Sequence, residues 1–196
     1  MTEFEKKLLL SERQYLALRN GIRDTCKRVI QTNYYFDTPD YRFNHYGLTF
    51  RIREKNGKLT ATVKEHNCQN EELHIERSAA VASLQETDFF KNKRLMLHGA
   101  LTTYRDLLYA DAALQVFLDR SVYLGVEDYE LEIEYENGKE SYANIVFQYF
   151  LGITYYFDPS YSEIRNCNKS QRFFRRLIDL KKQNDVERSN SGRFTH

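Results

Sequence analysis

Along most of the chain, apolar and ionisable residues alternate, the period of a β-strand with one face of each kind. Residues 129–135, YELEIEY, set Glu130, Glu132 and Glu134 on one side and Leu131 and Ile133 on the other. Alternate residues of a strand stand roughly 6.6 Å apart, so these carboxylates form a row, which Asp128 begins. Like charges so close repel, and a sheet face left to water ordinarily mixes its signs. A row of one sign predicts that something positive is held there. In Glu3–Leu9, Glu3, Glu5 and Lys7 oppose Phe4 and Leu8, and Lys6 alone breaks the apolar side. Arg51 and Arg53 alternate with Phe50 and Ile52, and Lys64 shares a side with Thr60 and Thr62. Arg105 falls with Leu101 and Thr103, Asp119 with Ser121, and Glu76 with His74 and Glu72.

Besides Glu3–Leu9, strands are predicted over Val29–Asp37, Gly47–Lys55, Lys58–Glu65, Glu71–Arg77, Leu101–Leu108, Leu114–Tyr123 and Asp128–Tyr135, with a short one at TYYF (154–157). Asn56–Gly57 is a strong hairpin turn, TPDY (38–41) a turn, and Asn137–Gly138 another. Capping-box pairs, Ser11 with Gln14 and Ser83 with Glu86, predict helices over roughly 12–26 and near 84–91. Ser141 caps a helix over 142–151, and Phe173, Phe174, Leu177 and Ile178 give 169–182 helical spacing. Residues 183–196 are polar and aperiodic and read as a mobile tail. NYYFDTPDY (33–41) echoes TYYFDPSY (154–161), which a Tyr-rich chain produces by coincidence more readily than by duplication. The sum is one α+β domain over 1–182 with about eight mostly antiparallel strands, enough to close a barrel.

Composition narrows the chemistry. Lys+Arg 29 against Asp+Glu 28 leaves a net charge of +1, which argues against nucleic-acid binding through bulk positive charge. Cys26, Cys68 and Cys167 are odd in number and form no C-x-x-C pair, so neither a disulfide framework nor a structural zinc site is expected. The opening MTEFEKKLLLSERQ is charged, and nowhere do about 18 apolar residues run together. A cytoplasmic protein with no membrane span is the expectation. Five histidines show no ligand spacing, and no Gly-rich phosphate loop or G-x-S-x-G is present.

Alternation alone fits a sheet with one solvated face as readily as a barrel with a charged interior. The segregation of charge favours the second. Carboxylates gather in Glu130–Glu134 and Glu3–Glu5, while Arg51, Arg53 and Lys64 gather on one hairpin. Arg is the better bidentate phosphate ligand, and hard cations such as Mg²⁺ bridge carboxylates to phosphate oxygens. Together they suit a polyphosphate carried with a divalent metal.

The motifs then point to a family. Glu3-Phe4-Glu5-Lys6-Lys7 matches E-x-E-x-K, followed in order by YYFDT (34–38), GLTFRIRE (47–54), TATVK (60–64), Arg105, LDRSVYLGVEDYELEIEY (118–135) and a late Lys169. This ordered set resembles the bacterial branch of the CYTH superfamily, the triphosphate tunnel metalloenzymes, over nearly all of 1–182. The resemblance implies an eight-stranded antiparallel β-barrel, flanked by helices, with the charged faces inward. It implies Glu3, Glu5, Glu130, Glu132 and Glu134 as metal-binding carboxylates for Mg²⁺, or Mn²⁺ in its place. Lys7, Arg51, Arg53, Lys64, Arg105 and Lys169 become the phosphate-binding set, with Lys64 and Arg105 also catalytic, although the segment around Lys169 departs from the usual S-K pair. Asp119 becomes an interior acid.

The expected activity is metal-dependent hydrolysis of a linear triphosphate: inorganic tripolyphosphate, a nucleoside triphosphate or thiamine triphosphate. The rivals are an adenylate cyclase of the same family and a non-catalytic polyphosphate-binding module. The partner expected is the small-molecule substrate, without nucleic acid or membrane, and a homodimer is compatible with the sequence.

Overall fold

A computed structural model describes residues 2–21, 28–66, 73–86, 95–159 and 168–191, the side chains of Thr2, Glu3, His66, Leu73, His74 and residues 188–191 excepted. The chain forms two compact units, Met1–Asn166 and Cys167–His196. The first contains β1 (Thr2–Leu10), α1 (Glu12–Asn20), β2 (Arg28–Asp37), α2 (Arg42–His45), β3 (Leu48–Lys55), β4 (Lys58–His66), β5 (Leu73–Val81), β6 (Met96–Ala110), β7 (Leu114–Tyr123), β8 (Val126–Tyr135) and α3 (Glu140–Phe157). The second contains α4 (Lys169–Ser191).

The eight strands close a barrel in the order β1-β5-β4-β3-β2-β6-β7-β8, every pair antiparallel. Opposite Lys55↔Lys58, Asn56 and Gly57 turn the chain at φ 53° and 72°, a left-handed pair that Asn and Gly adopt at least cost. β1 joins the two ends of the sheet. It pairs with β8 from Phe4↔Tyr135 to Leu10↔Tyr129, but with β5 only through Thr2↔Ile75, Glu3↔His74 and Phe4↔Leu73.

The alternation seen in the sequence now has two destinations. Its apolar side lies outside the strands, under helices. Leu8 and Leu10 of β1, Val116 and Leu118 of β7, and Leu131 and Ile133 of β8 pack against Tyr15 and Leu18 of α1 and Ala143 and Phe147 of α3. A second cluster joins Phe36, Phe43, Phe50, Ile52 and Ala61. Lys6, the break in the apolar side of β1, lies over the Tyr135 ring at 5.8 Å, a cation–π contact that lets an outward lysine share this surface.

Helix α1 starts where expected. Ser11 Oγ accepts from Gln14 N at 3.2 Å and Gln14 Oε1 accepts from Ser11 N at 3.0 Å, a complete capping box. Several readings differ, and one is Ser141, which lies inside α3 (Glu140–Phe157) behind an N-cap at Lys139 and does not cap a helix over 142–151. TYYF (154–157) is the last turn of α3, not a strand, so its echo of the β2 sequence does not extend to conformation. α4 continues past residue 182 to Ser191, into the segment read as a tail. β5, described from Leu73, runs on to Val81, past the expected end at residue 77, and β6 is longer than Leu101–Leu108 at both ends. No helix begins at Ser83, although Glu86 Oε1 accepts from Ala82 N at 2.9 Å; residues 87–91 of that expectation, and Cys26, Cys68 and Cys167, lie outside the described residues.

Candidate active site

The inward face gathers what the sequence separates by up to 129 residues, from Glu5 to Glu134. Glu5 and Lys7 come from β1, Arg51 and Arg53 from β3, Lys64 from β4, Glu76 from β5, Arg105 from β6, Asp119 from β7, and Glu130, Glu132 and Glu134 from β8. Register does the gathering. Glu5 stands opposite Glu134, Lys7 opposite Glu132, and Asp119 opposite both Glu130 and Arg105. Backbone pairing thus fixes which charges face one another before any side chain chooses a rotamer.

The acidic side is organised by one arginine. Arg105 Nε and Nη2 donate to the two Asp119 oxygens at 2.8 and 2.7 Å, a bidentate pair. Nη2 also donates to Glu132 Oε1 at 2.6 Å and Nη1 to Glu134 Oε1 at 3.0 Å. The guanidinium lies over the Phe117 ring at 4.4 Å, which fixes its plane. Burial works against its charge, yet Glu132, Asp119 and Glu134 together hold Arg105 well above its ordinary range. Burial, with the Glu132 charge beside it, pushes the Glu134 carboxyl up to about 7, and Arg105 opposes the rise.

Asp119, Glu130 and Glu132 are all buried, and each offers a carboxylate oxygen within 4.8 Å of the others. Three oxygen donors this close suit a hard divalent cation, which removes the repulsion that burial intensifies. The donor set therefore fits the metal that the sequence motifs imply, with Asp119 a candidate ligand in addition to its place as an interior acid. Glu5 belongs to a different contact: its Oε1 accepts from Lys7 Nζ at 2.5 Å and Lys64 Nζ at 3.0 Å. Glu3 lies on β1 opposite His74, and nothing is described of its side chain. Lys169 opens α4, in the second unit.

The basic side is differently arranged. Arg51 Nη2 lies 3.4 Å from Glu76 Oε2, a loose pair, and Arg51 Nε is buried without a hydrogen-bond partner. Arg53 donates from Nε to Asn33 Oδ1 at 2.9 Å and makes no ion pair among the described residues. Burial, then the charges of Arg51 and Arg105, pull Arg53 down to about 10. Two guanidinium groups short of negative partners beside a carboxylate-lined wall form a place for an anion.

Several inward residues were not singled out in the sequence. Asn33 sits opposite Arg53 in register, and Tyr35, not Tyr34, is the inward member of the tyrosine pair, opposite Arg51. Glu76, which the sequence placed on a face with His74 and Glu72, is inward too, reaching Arg51 and accepting from Ser78 Oγ at 3.1 Å. Asp37, wholly buried, takes backbone N–H bonds from Thr38, Phe43 and Asn44 at 2.6, 2.9 and 2.9 Å and so secures α2 at the barrel rim. The signal for Asn33 and Glu76 is their parity with Arg53 and Lys64 across the hairpins, which becomes usable once strand order is known.

Known proteins share this architecture. The sequence profile described as the CYTH domain matches residues 1–153. YjbK of Bacillus subtilis (strain 168), named as a candidate triphosphatase, is 26% identical over 164 residues, covering 75% of this chain and 86% of its own. A crystal structure from Bacillus halodurans, described as a candidate adenylate cyclase, superposes with a TM-score of 0.67 at 28% identity, over 88% of this chain and 97% of its own. The Hippeastrum protein HpAC1, described as a candidate adenylyl cyclase with a dominant triphosphatase activity, has the same fold, with a TM-score of 0.68 at 18% identity over 87% of this chain and 94% of its own.

Proposed function

Because the chain belongs to the CYTH domain family, we propose that it is a metal-dependent hydrolase of a linear triphosphate, with inorganic tripolyphosphate its simplest substrate. The observation that carries this reading is the division of one barrel interior into an acidic sector, Asp119, Glu130 and Glu132, and a basic sector, Arg51 and Arg53. A protein built only to bind anions has no use for buried carboxylates brought within 4.8 Å of one another.

Asp119, Glu130 and Glu132 would hold a divalent cation, Mg²⁺ or Mn²⁺, with Glu134 next in the β8 row and Glu5 opposite it across the β1–β8 pairing. When bound, such an ion supplies neutralisation of phosphate oxygens and a lowered pKa for a neighbouring water. Arg51 and Arg53 bind the phosphate chain, and their fixed charges stabilise the negative charge that shifts toward the leaving group. Lys64 and Lys7, both drawn to Glu5 Oε1, stand between the sectors and exchange that carboxylate for a phosphate oxygen when substrate enters. Arg105 acts differently from the other cations: committed to Asp119, Glu132 and Glu134, it sets the spacing of the acidic wall.

One panel tests the reading. The purified protein is incubated with tripolyphosphate, ATP or thiamine triphosphate, each with Mg²⁺, Mn²⁺ or chelator. Release of orthophosphate that stops with chelator is expected. Cyclic AMP and pyrophosphate from ATP would instead identify a cyclase, and tight binding without turnover across the panel a binding module.

A further inference from the structure

We propose that Asn33 is a positioning residue for triphosphate binding, holding the Arg53 guanidinium in place through a neutral acceptor so that its charge stays available to phosphate. The inference rests on the reading of the barrel as a triphosphate site. Asn33 is 1% exposed and stands opposite Arg53 across the β2–β3 pairing, so backbone register places its amide against that side chain. Its Oδ1 accepts from Arg53 Nε at 2.9 Å. Arg53 makes no other hydrogen bond and no ion pair among the described residues.

The contrast with Arg105 gives the choice of an amide its meaning. Arg105 is fixed by three carboxylates, which orient it but also cancel its charge. Arg53 is fixed by a group of the same shape as aspartate and no charge. With Nε engaged, the two terminal NH₂ groups retain their N–H bonds for an anion, in the planar fork that matches phosphate. Burial and the nearby Arg51 and Arg105 charges already pull Arg53 down to about 10, so the site carries a cost in the absence of an anion. A carboxylate at position 33 would relieve that cost internally and compete with the ligand. An amide leaves the relief to the ligand.

Asn33→Asp separates orientation from charge, because it keeps shape and acceptor. Binding of inorganic tripolyphosphate to the full-length chain is measured by calorimetry with and without Mg²⁺, alongside the ligand-free melting temperature. The expected result is a dissociation constant raised about tenfold or more, the scale of one charge-assisted hydrogen bond, with the ligand-free melting temperature unchanged or raised. In an Arg53→Gln background the same substitution is expected to change affinity by less than about twofold, since coupled residues lose their effect together. Unchanged affinity in Asn33→Asp, a loss that persists undiminished beside Arg53→Gln, or a lowered ligand-free melting temperature accompanying the loss would each overturn the assignment, the last by showing a structural role. Wild-type protein that fails to bind tripolyphosphate under either condition overturns the functional reading itself, before any variant is compared.

Discussion

At the scale of single residues, charge is informative here because it is so costly where it lies. Glu130 and Asp119 are wholly buried and Glu132 nearly so, and such groups persist only when paired or when an ion joins them. The change Glu132→Gln keeps shape while removing one candidate ligand charge and one partner of Arg105. Its expected outcome is an activity reduced by about tenfold or more, with the metal concentration for half-maximal rate raised by a similar factor, which is at least the effect known for groups one step removed from a metal. Steady-state rates across a Mg²⁺ titration check it; a normal rate at a normal metal requirement would place the metal elsewhere. Alternation made Glu5, Arg51, Arg53, Lys64, Arg105 and the YELEIEY row legible, since side-chain direction in a strand depends only on parity. Asn33 and Asp37 stayed hidden. A short polar residue in a Tyr-rich strand has no periodic signature, and its role is defined by a partner on another strand or by a helix end several residues on.

At the scale of elements, strands were read well and helix lengths poorly. Strand faces are written at every second residue, whereas TYYF is β-prone by composition and became helical because it continues α3, whose Phe147 and Ala143 pack on the barrel. Tertiary contact outweighed local preference. Turns are the points where single polar groups decide an element's geometry, and the β6–β7 connection shows it. Asp111 Oδ1 accepts from Ala113 N at 2.7 Å and Leu114 N at 2.9 Å, while Oδ2 accepts from Tyr109 and Tyr142 hydroxyls. The bonds from Ala113, Leu114 and Tyr142 hold the Asp111 carboxyl down to about 2. A depressed acid stabilises the fold above its ordinary range and loses that contribution as pH falls toward the folded value. Asp111→Ala is therefore expected to melt below wild type near neutrality, with the gap closing between about pH 5 and about pH 2. Thermal melts across that range check it, and a gap independent of pH would assign the whole effect to the neutral side chain.

At the scale of the barrel, the usual arrangement is inverted. The interior holds charged side chains, and the apolar core lies between the strands and the helices outside them. Stability and activity should then respond to different substitutions. Leu131→Ala, in the outer cluster one residue from Glu132, is expected to cost about 2–5 kcal/mol of stability while leaving the substrate concentration for half-maximal rate nearly unchanged at temperatures where the protein stays folded. Denaturant melts and kinetics on one preparation check both halves. Closure of the barrel also has a consequence in time. β1 finds most of its pairing on β8, with Leu9 opposite Glu130, so about 120 residues must emerge from a ribosome before the first strand can be enclosed. At roughly 5–20 residues per second that is an interval of about 6–24 s. Throughout it Leu8 and Leu10 lack the β8 residues beside them, and Glu5 lacks the strand that stands opposite it. A nascent chain halted ahead of Val126 holds Arg51, Arg53 and Arg105 and none of the β8 wall that completes the ring, the kind of incomplete sheet with unpaired edges on which chaperones act.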